Sequence, residues 1–194
     1  TITTGEGGML VTNKKALFNK AKSLRDHGMD EKKKYWHNDV GFNYRMTNMQ
    51  AAIGLAQLEN VNDIIKRKIQ IALKYEKEID KLNRQIKEKI ILPYKSKNFL
   101  NTFWLYNIRI RNLNETKRDE LIKRLRASGI ECRNFFYPFS RMKIYKKYIK
   151  NENDLKISSE ISDSGICLPS FPGLKFREIE FIIKKLAIEI NRII

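Results

Sequence analysis

Long apolar runs are missing from this 194-residue chain: nothing in it approaches the roughly 18 residues that a membrane-spanning helix needs. Cysteine is scarce. Cys132 and Cys167 are the only two, and they show no metal-ligand spacing. That excludes a disulfide framework and a zinc site, and reads as a pair of free buried thiols in a reducing cytosol. The glycine-rich Gly5-Glu6-Gly7-Gly8 lacks a following Gly-Lys-Ser/Thr, so it is no phosphate-cradling P-loop; close backbone packing is the expected role. No signal peptide opens the sequence, because Thr1 begins in mid-motif. Zinc-finger spacing, an RNP-like aromatic strand, a distinct recognition helix, internal repeats and low-complexity linkers are all absent.

What is present is an ordinary globular composition, 42% hydrophobic and 31% charged, long enough for one domain or one and a half. The formal charge is +17, from 39 Lys+Arg against 22 Asp+Glu. Such a field attracts polyanions, nucleic acid among them. The lysines, however, are scattered over every predicted helix as solvated faces, and a compositional bias toward Lys and Ile is the preferred reading.

The most informative stretch is Gly41-Phe42-Asn43-Tyr44-Arg45-Met46-Thr47-Asn48-Met49-Gln50-Ala51-Ala52. Gly41 allows a backbone approach that a Cβ would block. Thr47 and Gln50 have capping-box spacing, and Ala51 through Leu58 continue a good helix to about Glu59. Asn43, Tyr44 and Arg45 are therefore polar groups fixed just ahead of a rigid helix. The alternative is an ordinary loop and cap.

This string resembles the GxNYRMTxxQAAxGxxQL signature of the DegT/DnrJ/EryC1/StrS sugar aminotransferases. Thr1-Ile2-Thr3-Thr4-Gly5-Glu6-Gly7-Gly8-Met9 resembles the TTGEGGM segment of that family. Asp26-His27-Gly28-Met29 with Lys34-Tyr35-Trp36-His37 resembles its HG and RYWH loops. Phe135-Phe136-Tyr137-Pro138 and Leu168-Pro169-Ser170 resemble two later landmarks, all in the family's order. The resemblance implies an α/β chain forming the C-terminal part of the aspartate-aminotransferase fold (pyridoxal-phosphate fold type I). It implies pyridoxal 5'-phosphate (PLP) as cofactor, glutamate as amino donor and a keto-sugar nucleotide as acceptor, in a cytoplasmic homodimer. The basic charge would then help attract an anionic nucleotide-sugar. Asn43 would reach into the neighbouring subunit's site and bind the PLP phosphate, with Arg45 as a second anion contact. Trp36, His37, Arg133, Tyr137 and Ser140 fall in segments expected near the sugar nucleotide. The Tyr35-Trp36 and Phe136–Ser140 segments are most similar to perosamine-synthase-like members, which implies GDP-4-keto-6-deoxymannose and amino sugars for lipopolysaccharide O-antigen or other surface polysaccharide.

The rest of the chain reads as follows. Gly8 to Thr12 is a short strand, and Asn13 caps a helix through Asp26 that stops at Gly28. Residues 29–40 form a polar loop with an aromatic pair. Val61, Ile64, Ile65, Lys68, Ala72, Tyr75, Ile79 and Leu82 stripe a long helix that ends before Leu92-Pro93 and carries no chemistry. Strands follow at Phe103–Ile110, Ile130–Arg133 and Ile166–Leu168, with helices at Glu115–Ser128, from an Asp154 cap to near Gly165, and over the last turns. The domains implied are 1–60, the end of a large PLP-binding domain; 61–88, a linking helix; and 89–194, a small α/β domain.

Two departures stand out. Ser140 occupies a position where many members have His. The family's Schiff-base lysine lies immediately before the TITTGEGG segment, and Lys14 and Lys15 are no substitutes, so the 194 residues alone are expected not to catalyse. Three readings stay open: the C-terminal portion of a sugar aminotransferase; a non-catalytic remnant serving as a dimerisation or binding module; and a basic nucleic-acid-binding protein. No catalytic residue and no metal site is assigned.

Overall fold

A computed structural model describes residues 1–87, 89–149, 151 and 155–194. They divide into two compact units, 1–62 and 63–194.

The first unit holds two helices, α1 (Lys15–Arg25) and α2 (Asn48–Glu59). The capping box that opens α2 is present as read. The Gln50 N–H donates to Thr47 Oγ1 at 3.2 Å, and the Thr47 N–H donates to Gln50 Oε1 at 2.9 Å. Gln50 Nε2 also donates to the Glu6 carbonyl at 3.2 Å, and Gln57 pairs with both backbone groups of Thr3. The Gln50–Gly54–Gln57 face of α2 thereby holds the Thr3–Glu6 turn, against which a Cβ on Gly54 would meet Thr4 Cγ2 at 3.0 Å.

Two expectations fail in this unit. Gly8 to Thr12 forms no strand, since among the described residues nothing pairs with it and a ladder needs a partner. Asn13 does not cap α1: the helix opens at Lys14, whose N–H donates to Thr12 Oγ1 at 3.1 Å, so the threonine supplies the acceptor. Gly28 closes α1 as expected, with φ +63° and its N–H on the Ser23 carbonyl at 2.8 Å.

The second unit is a four-stranded, wholly antiparallel sheet with helices packed on it. Its elements are α3 (Val61–Asn83, which begins at the unit boundary), β1 (Ile90–Ile91), β2 (Tyr106–Ile110), α4 (Glu115–Ala127), β3 (Arg133–Asn134), α5 (Lys156–Ser164), β4 (Gly165–Leu168) and α6 (Phe176–Ile193). The strand order is β1-β2-β4-β3. β2 alternates as a half-buried strand should, with Tyr106, Ile108 and Ile110 inward; Ile108 faces Ile166 across the β2–β4 ladder. The core joins this face to Ile71, Tyr75 and Ile79 of α3, Leu121 and Leu125 of α4, and Ile179 and Leu186 of α6.

Strand limits differ from the sequence reading for local reasons. Phe103 has φ +50° and turns the chain, so β2 starts only at Tyr106. The Ile130 N–H still closes α4 on the Leu125 carbonyl at 3.0 Å after Gly129 (φ +79°), so β3 starts at Arg133 rather than Ile130. Two-residue β1 leaves no periodicity to read. The Asp154 cap lies outside the described residues.

The face of α3 is not purely apolar. Lys68 is buried, and its Nζ donates to the Ser170 carbonyl at 2.7 Å and the Trp104 carbonyl at 3.3 Å. Arg67 donates to the carbonyls of Pro172 (3.1 Å) and Leu174 (2.6 Å), and the Tyr75 hydroxyl to that of Pro169 (2.9 Å). Three polar tips on one helix thus satisfy four carbonyls of the 169–174 segment, those of Pro169, Ser170, Pro172 and Leu174. Desolvation lowers the Lys68 pKa from its ordinary 10.5.

Candidate functional site

In the first unit, the candidate site is the segment that leads into α2. Two glycines make its path: a Cβ on Gly41 would lie 2.1 Å from Gly28 N, and one on Gly28 would lie 2.2 Å from the Asp39 carbonyl oxygen. With the two backbones in contact, the chain pairs beside the end of α1. Phe42 N–H donates to the Leu24 carbonyl (2.7 Å), His27 N–H to Phe42 (2.9 Å) and Tyr44 N–H to Arg25 (2.9 Å). Asp26 forms an antiparallel bridge with Asn43.

Phe42 and Tyr44 stack at 5.1 Å, which fixes them on one side of the segment. Asn43 and Arg45 alternate with them and so share the other side. Both are exposed. Arg45 sits 3.5 Å from Asp26 Oδ1, a loose surface ion pair, and the Asn43 amide has no intramolecular partner among the described residues. An unpaired amide N–H beside a guanidinium is a donor set that fits an oxyanion.

Trp36 and His37 sit in a loop organised by Asp30. Its carboxylate accepts from Asn38 Nδ2 and the N–H groups of Lys32 and Lys33, each at 2.8 Å, and these bonds hold its pKa below the ordinary carboxylate value. The Asp30 N–H donates to the Trp36 carbonyl at 2.8 Å. Lys33 Nζ lies 3.8 Å from the exposed Trp36 ring, and His37 Nδ1 is 2.9 Å from the His27 carbonyl oxygen.

Arg133, Tyr137 and Ser140 belong to the second unit. Arg133 is exposed on β3. Tyr137 and Ser140 lie in the loop beyond it, anchored by the Phe135 ring on Gly165, where a Cβ would be 2.4 Å from the ring. Ser140 sits in a 3-10 turn, Phe139–Arg141, fixed by charge. Arg141 makes two 2.6 Å bonds to Asp163 and one of 3.2 Å to Glu115. Arg118, fully buried, donates to Asp119 (2.9 Å) and the Ser162 carbonyl (2.7 Å), with its guanidinium carbon 5.8 Å from the Tyr137 ring centre. Sequence reasoning gave no site role to Asp26, Arg118 or Arg141. The only signal for Arg118 was an arginine on the inward stripe of α4 with Leu121, Ile122 and Leu125.

Cys132 and Cys167 are free and buried. Burial pushes the Cys132 thiol up to about 12 and Cys167 to about 11. Among the described residues no cluster of His, Cys, Asp and Glu could hold a metal, and no helix is long and apolar enough to cross a membrane.

The chain is 42% identical over 187 residues to a GDP-perosamine synthase of Escherichia coli O157:H7, covering 96% of this chain and 48% of that enzyme. It is 40% identical over 185 residues to the GDP-perosamine synthase of Caulobacter vibrioides, covering 95% of this chain and 48% of that enzyme. The chain therefore spans about half the length of the curated relatives it matches. Among solved structures, the aminotransferase TlmJ of Streptoalloteichus hindustanus superposes with a TM-score of 0.82 at 21% identity, over 98% of this chain and 49% of that one. The PLP-form of a sugar aminotransferase, Spr1654, from Streptococcus pneumoniae gives 0.81 at 19% identity, over 96% of this chain and 46% of that one. The mixed α/β fold is thus that of the fold-type-I aminotransferases, as expected from the sequence. The family model matches residues 1–187, so the chain belongs to the DegT/DnrJ/EryC1/StrS aminotransferase family.

Proposed function

We propose that this chain is part of a cytoplasmic, PLP-dependent aminotransferase that moves the amino group of glutamate onto GDP-4-keto-6-deoxymannose, for amino sugars of surface polysaccharide such as O-antigen. The observation that carries this reading is the 42% identity, over nearly the whole chain, to an enzyme named GDP-perosamine synthase. A UDP-sugar transaminase of Campylobacter jejuni reaches 29%. The 1–60 segment then ends the large cofactor domain, 61–88 links it, and 89–194 is the small domain.

The donor set on the 42–45 segment fits the cofactor's phosphate. The Asn43 amide N–H donates to a phosphate oxygen. The Arg45 guanidinium adds a charge-assisted contact, exchanging its 3.5 Å partner Asp26 for the stronger anion. The capping box holds both donors at the start of α2. When bound, PLP supplies the electron sink for the carbon that exchanges its amino group. Asn43 and Arg45 serve the site of a second subunit in a two-fold homodimer. Trp36, His37, Arg133, Tyr137 and Ser140 are the residues proposed to contact the sugar nucleotide. Lys68, the buried lysine among the described residues, spends its Nζ on two backbone carbonyls and is not assigned the covalent cofactor role. The isolated chain is proposed to be inactive.

The test is substrate choice in the assembled enzyme. Amino transfer to GDP-4-keto-6-deoxymannose, with little to a UDP-4-keto sugar, is expected. The opposite preference overturns the substrate assignment.

A further inference from the structure

Two tyrosines stack in the core of the second unit. Tyr75 on α3 and Tyr106 on β2 have ring centres 4.6 Å apart, and both are buried. Their hydroxyls differ. That of Tyr75 donates to the Pro169 carbonyl at 2.9 Å. That of Tyr106 is buried and has no hydrogen-bond partner among the described residues. A hydroxyl in that position gives up the bonds it makes to water in the unfolded chain and gets none in return. Tyr106 also lines a cavity of about 20 Å³ beside α3. Ala72, Leu92 and Phe103 give it apolar walls, and Phe103 holds its place at φ +50°, a costly conformation for a bulky residue. Its polar wall is Glu76 with Lys95, whose Nζ donates to both carboxylate oxygens at 2.6 Å. Burial raises the Tyr106 pKa, and the Glu76 carboxylate is the next cause, ahead of Asp80. The hydroxyl therefore keeps its proton at neutral pH and stands as a donor within the field of Glu76.

We infer that this cavity is a binding site for one ordered water molecule, which accepts from the Tyr106 hydroxyl and donates to the Glu76 carboxylate. Size selects the ligand. A water needs roughly 10–15 Å³ of such space, so the 20 Å³ cavity takes one and excludes an organic molecule. Polarity selects it as well, because a dry cavity is apolar throughout, whereas this one has a donor at one end and a carboxylate at the other. Glu76 has acceptor capacity to spare: a carboxylate offers about four lone-pair sites, and Lys95 engages one on each oxygen. Lys95 is more than half exposed, which gives the water its way in from solvent. Once bound, the water ties the Tyr75–Tyr106 stack to the outer side of α3.

Oxygen-17 relaxation dispersion, which counts long-lived internal waters, tests this on the 194-residue chain. Tyr106→Phe should hold one such water fewer than the wild type. Glu76→Leu, a change on the solvent side of the cavity that leaves the core intact, should lose the same water with Tyr106 still in place. Urea unfolding of Tyr106→Phe gives an independent sign. Loss of a hydrogen bond to the water lowers the midpoint, whereas removal of a hydroxyl that was buried dry raises it. Equal water counts in the wild type and Tyr106→Phe overturn the inference, and so does a raised midpoint. Retention of the water in Glu76→Leu overturns the bridge to the carboxylate.

Discussion

Replacing Gly41 with alanine tests how the Asn43–Arg45 segment is positioned. Gly41 is not among the positive-φ residues, so alanine costs nothing in backbone conformation, and the contact alone is perturbed. The new Cβ would lie 2.1 Å from Gly28 N and 2.3 Å from the His27 carbonyl carbon, both backbone atoms that no rotamer change relieves. Ordinary contact begins at 3.4 Å, so the 41–44 segment and the end of α1 must part by about 1.3 Å (3.4 minus 2.1). Overpacking of this kind costs ~1–3 kcal/mol. The shift also stretches the Phe42-to-Leu24 and Tyr44-to-Arg25 bonds, of 2.7 and 2.9 Å, each contributing ~1 kcal/mol. A loss of ~2 kcal/mol in local stability makes exchange about 30-fold faster. The assay is amide exchange at Phe42 and Tyr44 in the chain assembled with its complementary half, with α4 amides as reference. Wild-type exchange at both amides would refute the close-approach account.

Other outcomes follow from the same geometry. Lys68→Met should destabilise the second unit by ~2 kcal/mol in urea unfolding, because the Ser170 and Trp104 carbonyls lose a charged donor; an unchanged midpoint would show that water replaces it. Neither thiol should react with an aromatic disulfide reagent in the native chain, and both should do so in denaturant. The thiols also set an alkaline limit. Cys132 titrates at about 12 when folded against 9.0 ordinarily, so the folded state holds its proton longer than the unfolded state. Stability is then full below pH 9 and falls as pH rises toward 12, at up to about 1.4 kcal/mol per pH unit for one group; Cys132→Ala should flatten that slope in urea unfolding at pH 8 to 10.5. Sedimentation of the assembled protein should give a homodimer, and a monomer at micromolar concentration would count against the cross-subunit role of Asn43.

The sequence exposed features whose signal is local. The capping box at Thr47 and Gln50, the Gly28 helix stop and the helix over the last turns all appear where the residues placed them. Features that depend on distant partners were not legible. α1 opens at Lys14 rather than Asn13, after a turn in which the Lys14 N–H donates to the Thr12 hydroxyl and which helix-cap preference does not reveal. The run from Gly8 to Thr12 has strand composition but nothing to pair with among the described residues. β1 is too short to carry a period. For the site, Asn43 and Arg45 were marked by motif and cap, whereas Asp26, which bridges to one and pairs with the other, lies 17 residues upstream of Asn43 and looked like part of a helix end. Lys68 read as an ordinary stripe position because its carbonyl partners are 36 and 102 residues away.

The most direct test of the proposed function is 2-oxoglutarate release from glutamate in the presence of PLP and GDP-4-keto-6-deoxymannose. It compares the 194-residue chain, the chain assembled with its complementary half, and that assembly carrying Asn43→Ala. The account predicts no turnover by the chain alone, sustained turnover by the assembly, and weakened PLP retention in the variant. Sustained turnover by the chain alone, abolished by replacing one lysine within Thr1–Ile194, would contradict it.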